Sequence, residues 1–418
     1  MDTNIIIHHV GGRNGSIGFD FPAYFKDDFT IILYEPDEDA LERIEKHSND
    51  YYGKHYVFPY CLDSTTSHKT LNINRDPYTS SLLKQNPKFK DYYYFQNGDR
   101  HNYDYLWGEA TETIIESKVK TTTLDTILAN ENIPAPDIYC LDTQGSEHAI
   151  LKGSEKTLPN VLAIISEVEF SPLYENQSLF GDIFHYLQKF GFEFIYFNKL
   201  KEMSASPTPI VARGRGTHMF SDALFVKTIE QIRIDFPNES ERKLATIKLV
   251  YFLLNAGHIG KAMNILKVTD ALTIVNENKN LLDVKYIKFC NDFYLTVCAA
   301  NQNINKMPTF GDMFSSSQSM QRKADEEKEP FSVKNKTIGI LIKNRLKKTP
   351  FIFVVRVVRR ILHKLQQVIF MWKNNKNTQI EKLLMDHGLS EVANLVKENR
   401  LNCTLGLRRN RAKNIKMA

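Results

Sequence analysis

Asn4-Ile5-Ile6-Ile7-His8-His9-Val10-Gly11-Gly12-Arg13-Asn14-Gly15-Ser16-Ile17-Gly18 is an apolar run that breaks into glycines. A second apolar run, Phe29 to Tyr34, ends on Glu35-Pro36-Asp37. Strand, glycine loop, helix, strand and acid in that order make the layout of a nucleotide-binding βαβ unit. Glycines let the backbone turn sharply and approach a ligand with no Cβ in the way. Glu35, at the tip of the second strand, is placed to accept hydrogen bonds from two ribose hydroxyls. An adenosine-bearing cofactor is the expectation.

Outward from this unit, apolar runs alternate with helical segments through residue 228, which predicts a parallel sheet covered by helices on both faces. Strands are expected at Ile5–Val10, Thr30–Tyr34, Tyr56–Cys61, Ile138–Asp142, Leu162–Val168, Phe192–Tyr196 and Ala223–Val226. Helices are expected at Asp37–His47, Thr123–Glu131, Glu147–Thr157 and Gly181–Phe190. Between them, Asn74–Lys120 is rich in Tyr, Asn and Asp and weakly periodic, and reads as a long excursion over the sheet edge. Glu241–Leu266, broken at Ala256-Gly257-His258, reads as a helical hairpin, with a further helix over Leu281–Ala300.

The 418 residues carry a net charge of +5 that hides a division. Residues 1–228 balance at −11 and residues 229–418 at +16. Such asymmetry predicts modules with different partners. Four are expected: a nucleotide-binding domain over 1–228, a helical module over 229–305, a flexible Ser-, Lys- and Glu-rich linker over 306–335, and a basic helical region over 336–418. Twelve Lys/Arg and no acid fall between Lys334 and Gln379. After Pro350 the apolar residues lie on one helical face, a pattern suited to an anionic membrane surface contacted through 336–373. Nucleic acid is not expected as a partner, since basic and aromatic residues do not interleave. The five cysteines are scattered without metal-ligand spacing, which fits free thiols in a reducing compartment. With no signal-peptide pattern and no apolar span, the expected location is cytoplasmic, peripheral to the inner membrane face at most.

A glycine loop followed by an acid is shared by dehydrogenases and methyltransferases, so other landmarks must separate them. Thr123-Leu124-Asp125, the block Asp142-Thr143-Gln144-Gly145-Ser146-Glu147, and Leu151-Lys152-Gly153 follow one another with a strand between the first two. With these the chain resembles the FkbM family of S-adenosylmethionine-dependent methyltransferases, over about residues 4–226. Glu167 and the strand Gly191-Phe192-Glu193-Phe194 also fit that pattern.

The resemblance implies a Rossmann-like α/β fold: a seven-stranded methyltransferase sheet, its last strand antiparallel, followed here by an α-helical C-terminal region. It implies S-adenosylmethionine over the carboxyl ends of the strands. His9, Gly11, Gly12, Asn14, Gly15 and Ser16 would lie at the methionine and ribose portions, Glu35 at the ribose, Cys61–Asp63 at the adenine, and Asp142 at the methionine end beside the transferring methyl. His9 departs from the pattern, because the family usually has an acid there that helps hold the cofactor's ammonium.

Methyl transfer from a sulfonium is chiefly positioning catalysis, with a base for a hydroxyl acceptor. Candidates for catalysis are Asp142, Glu167 and His148. Alternation puts Glu167 and Glu169 on one strand face, where with Asp142 they could bind a divalent cation, although no metal ligand set is assigned. Glu147 also reads as simple charge complementation at a helix start. The resemblance suggests O-methylation of a sugar hydroxyl in a glycan or related metabolite. Two alternatives remain: a catalytically degenerate cofactor-binding scaffold in a membrane-associated glycan assembly system, and a nicotinamide-dependent oxidoreductase.

Overall fold

The computed structural model describes residues 3–11, 21–37, 40–42, 44, 53–95, 105–205 and 216–302. The loop residues Gly12, Asn14, Gly15 and Ser16, the linker over 306–335 and the basic region over 336–418 lie outside the described residues. So does most of the helix expected at Asp37–His47.

Strand β1 (Ile5–Val10) is buried along its whole length. Ile5 and Ile7 enter one core while Ile6 and Val10 enter another on the opposite face. A strand with both faces covered reads as a continuous apolar run, which is why this one was visible in the sequence. It pairs in parallel with β2 (Phe29–Tyr34) on one side and β9 (Ile138–Leu141) on the other, so Ile7 lies between Ile31 and Ile138. Outside these lie β3 (Lys54–Phe58) and β10 (Ala163–Glu169), also parallel. Next to β10 runs β12 (Thr217–Lys227), antiparallel to it and to β11 (Phe192–Ser204).

These seven strands, in the order β3-β2-β1-β9-β10-β12-β11, are the expected sheet with its last strand antiparallel. Two short strands, β6 (Tyr93–Phe95) and β7 (Tyr105–Leu106), extend it to nine. They come from the Tyr-rich excursion, which also contributes most of the central strand of a second sheet. There β8 (Thr113–Thr122) lies between β4 (Cys61–Leu62) and β5 (His68–Asn74). The strand expected over Tyr56–Cys61 is thus two strands separated at Pro59, which has no N–H to give to a ladder.

Helices α1 (Leu124–Asn130), α2 (Glu147–Lys152) and α3 (Phe180–Gln188) cover one face through Leu124, Ile127, Ile150, Leu151, Ile183 and Leu187. The other face is covered by α4 (Ile229–Asp235), α5 (Glu239–Asn255), α6 (Ile259–Thr269) and the start of α7 (Lys285–Gln302). Leu244 to Leu253 of α5 are all buried, so this helix lies within a core rather than on a surface. One of them, Lys248, reaches Asp137 Oδ2 at 2.8 Å, an oxygen that also accepts from Ile6 N. The helices expected as a separate module over 229–305 therefore share one hydrophobic core with the sheet. Residues up to Tyr294 form one compact unit. Of a second unit, Leu295–Leu401, the described residues are those that end α7.

Candidate functional site

Three parallel strands end side by side at the carboxyl edge of the sheet, and each delivers a residue to a cleft of about 300 Å³. His9 and Gly11 come from the end of β1, Glu35 from the end of β2 and Asp142 from the end of β9. Gly11 is required by the close approach of two strand ends. Its φ is +86°, and a Cβ there would lie 1.8 Å from the Asp142 carbonyl oxygen. Cys61 and Leu62 of β4 and Tyr60 before them line one side. Leu71 and Ile73 of β5, with Tyr78 and Ser81 from the excursion, close the cleft.

Glu35 is buried and its Oε1 accepts from Asp37 N at 3.0 Å, which fixes the carboxylate at the strand tip. Asp142, by contrast, is exposed on the cleft floor. Its Oδ1 accepts from Gln144 Nε2 at 3.2 Å. The same amide nitrogen donates to Glu167 Oε2 at 2.7 Å, while Gln144 Oε1 lies 3.0 Å from the Tyr174 hydroxyl. Ser81 Oγ donates to the Gln144 carbonyl at 2.6 Å, tying the excursion to the loop. Gln144 holds a left-handed backbone, φ 56°, a conformation that a non-glycine residue adopts at a cost of about 1–2 kcal/mol. Sequence reading missed Gln144 and Tyr174. Gln144 occupies an unspecified position inside a quoted motif, and Tyr174 is distant in sequence.

Glu147 closes this loop. Its carboxylate accepts from Thr143 N at 2.7 Å, Thr143 Oγ1 at 3.0 Å and Gly145 N at 3.0 Å. Burial pushes its pKa up, against the pull of those N–H donors. Burial, with Asp142 next in weight, raises Glu167 well above the ordinary carboxylate range, and burial with Glu147 does the same for Glu169. Among the described residues no group of three or more His, Cys, Asp or Glu is arranged to hold a metal ion.

The structure thus brings together His9, Gly11, Glu35 and Asp142, and places three other expected site residues off the cleft lining. Glu167 lies beneath the cleft and reaches it through Gln144. His148 sits on α2 with Nδ1 2.8 Å from Ser178 Oγ and its ring edge-on to Tyr186, because the helix turns that face toward α3. Asp63 is buried behind Cys61 and Leu62 in an ion pair with Lys69.

Fit to an adenosyl cofactor can be judged from the lining. The described lining residues include three carboxylates, Glu35, Asp37 and Asp142, and no Lys or Arg. Tyr60, Cys61 and Leu62 offer a flat, largely apolar flank beside Glu35. A nucleoside with a cationic tail fits this donor set, with Glu35 toward the ribose and Asp142 toward the positive charge.

The fold and this edge define an α/β domain with a ligand cleft at the carboxyl ends of its parallel strands. Residues 9–194 match the family model of the Methyltransferase FkbM domain, and over those residues the chain is similar to that family. A solved structure of Methyltransferase FkbM from Methylobacillus flagellatus KT shares 13% identity and a TM-score of 0.29, over 54% of this chain and 44% of that one. The chain therefore spans less than half the length of that relative. Comparison with curated proteins gives no significant match.

Proposed function

We propose that the chain is an S-adenosylmethionine-dependent methyltransferase that O-methylates a hydroxyl of a sugar in a glycan or related metabolite. The observation that carries this reading is the charge of the cleft: three carboxylates and, among the described lining residues, no Lys or Arg. A cationic sulfonium and ammonium are favoured there, whereas the pyrophosphate of a nicotinamide dinucleotide would meet like charge. S-adenosylmethionine, when bound, supplies a methyl group already activated by its sulfonium. Glu35 accepts hydrogen bonds from the ribose hydroxyls, and Tyr60–Leu62 exclude water from the base. Asp142, held by Gln144, places a carboxylate where an acceptor hydroxyl can hand over its proton.

Thermal-shift titration of the full chain tests the cofactor. Stabilisation by S-adenosylmethionine and S-adenosylhomocysteine, and none by NAD, is the expected result; no shift with the first two overturns the reading. Transfer of labelled methyl to fractionated glycans, with Asp142→Ala as control, tests the chemistry. Undiminished transfer by that variant removes Asp142 from the site.

His9 motivates the second reading, a cofactor-binding scaffold. It lines the cleft where the family pattern has an acid, and it cannot supply a negative charge. Stabilisation by both adenosyl ligands with no transfer to any glycan fraction would favour it. The basic segment 336–373 extends the proposal to an anionic membrane surface presenting the acceptor. Vesicle flotation of the full chain against a chain lacking 334–379 checks this, and equal recovery of both in the soluble fraction would remove it. Among the described residues, no helix is long and apolar enough to cross a membrane.

A further inference from the structure

Strand β8 is bonded to β5 along one edge, from His68 opposite Lys120 to Asn74 opposite Thr113. Its other edge is taken by β4 at Thr121 and Thr122. At the opposite end the register slips between Ile115 and Thr113, so Ile114 bulges out of the ladder. Between these stops, residues 115–120 have no strand on the outer edge among the described residues. Open edges of this kind are templates for another strand.

Alternation fixes which backbone groups the open edge presents. Thr121 N donates to Ser67 O toward β5, and Thr122 O accepts from Asp63 N on the other side. Counting back, the N–H and C=O groups of Glu116, Lys118 and Lys120 point outward, and those of Ser117 and Val119 point to β5. An antiparallel partner must therefore bring its own outward groups against Glu116 and Lys118.

We propose that this edge pairs with the same edge of a second copy of the chain, antiparallel, with the two-fold axis at Ser117. In that register Glu116 of each copy faces Lys118 of the other, and Ile115 faces Val119. The neighbouring allowed registers set Glu116 against Glu116 or Lys118 against Lys118. Like charges directly opposite are destabilising, so the strand selects one register by charge. The side chains are available for it. Glu116 and Lys118 are exposed and form no ion pair with any described residue, and Ile115 is 55% exposed, unusual for an isoleucine that the fold could have buried. The ladder has five residue pairs and four backbone hydrogen bonds. That is a small contact, so the dimer is weak and concentration-dependent. It lies outside the cleft and does not rest on methyl transfer.

Sedimentation velocity of the full chain, from low to high micromolar concentration, should show a monomer passing into a dimer. Glu116→Lys and Lys118→Glu should each weaken the dimer about tenfold, since two symmetric pairs turn from attraction to repulsion. The double variant Glu116→Lys/Lys118→Glu should restore it, which also guards against a folding defect. Ser117→Cys gives an independent test. Its two copies would face each other as a non-hydrogen-bonded pair with Cα atoms about 4.5 Å apart, within disulfide reach. Mild oxidation should give a covalent dimer above the background of the unsubstituted chain, and Lys120→Cys should not. A chain that stays monomeric at every concentration overturns the proposal. So does a dimer that ignores the charge reversals, or one with a different protein's strand on this edge.

Discussion

The loop Asp142–Glu147 and the lock formed by Thr123–Asp125 with Leu151–Thr157 belong to one sequence signature, yet they do different work. The loop opens to the cleft through Asp142 and holds that acid through Gln144. The lock touches no part of the cleft. Thr123 caps α1 by accepting from Thr126 N at 3.0 Å. Asp125 then accepts from Lys156 N at 2.9 Å, Thr157 N at 3.0 Å and Thr157 Oγ1 at 2.7 Å, while its own N–H donates to Gly153 O. Gly153 is required there because a Cβ would lie 2.2 Å from the Asp63 carbonyl oxygen. The signature is therefore half scaffold and half site, and the scaffold half sets where β9 delivers its acid.

That division can be broken experimentally. Asp142→Ala should lower methyl transfer by about 100-fold or more, as loss of a base or positioning carboxylate does. Because Asp142 is exposed, urea denaturation should move by only about 0.5 kcal/mol. Asp125→Ala should do the reverse. Losing the acceptor for three hydrogen bonds should cost about 2–4 kcal/mol of stability, while the folded fraction keeps its affinity for S-adenosylhomocysteine in a calorimetric titration. Thr123→Ala should cost about 1 kcal/mol, the usual worth of an N-cap, again with ligand affinity unchanged. If Asp125→Ala weakened binding as much as Asp142→Ala, the two halves of the signature would not be separable.

How much of this was legible in advance follows from burial. β1, β2 and β9 bury both faces, so their apolar runs marked them to within a residue or so. β11 and β12 run well beyond their expected bounds: the far half of β12 alternates buried with more exposed residues, and the described far half of β11 is buried at Met203 alone. β5 and β8 escaped notice altogether. Leu71 and Ile73 are the only apolar residues of β5, and Lys118, Lys120 and Glu116 break any apolar pattern in β8. In the site, the residues that terminate apolar strands (His9, Glu35, Asp142) could be read, since strand ends in such folds face the ligand. Leu71, Ile73 and Ser81 could not, because neither β5, whose apolar residues are those two alone, nor the excursion after it carries a periodic mark of where it will land. His148 and Glu167 had the right chemistry and the wrong direction. Helix phase turns the first toward Ser178, and strand alternation drops the second below the floor.

The buried acids sharpen the comparison most finely, through pH. Glu169 is raised by burial first and by Glu147 second, with Asp142 adding to the rise and the Gln177 amide opposing it. Glu167 and Tyr174, beside the same acids, are raised as well, and Asp222 adds to the rise of Glu167. A carboxyl whose folded pKa exceeds its unfolded value of about 4.3 binds a proton more tightly in the native state. The stability it contributes is complete below the unfolded pKa and is lost as pH climbs through the folded one. Glu169→Gln keeps the shape of the neutral acid and cannot ionise. It should therefore match the unsubstituted chain in urea titrations below about pH 4 and pull ahead as pH rises above that. His8 works at the opposite end: burial lowers its pKa to about 3, against the hydrogen bond to the Pro134 carbonyl, so stability falls as pH drops from about 6.5 toward 3. A Glu169→Gln curve parallel to that of the unsubstituted chain at every pH above about 4 would mean that Glu169 binds its proton no more tightly in the native state than in the unfolded one. The contrast between a solvated acid on the cleft floor and neutral acids beneath it would then be lost.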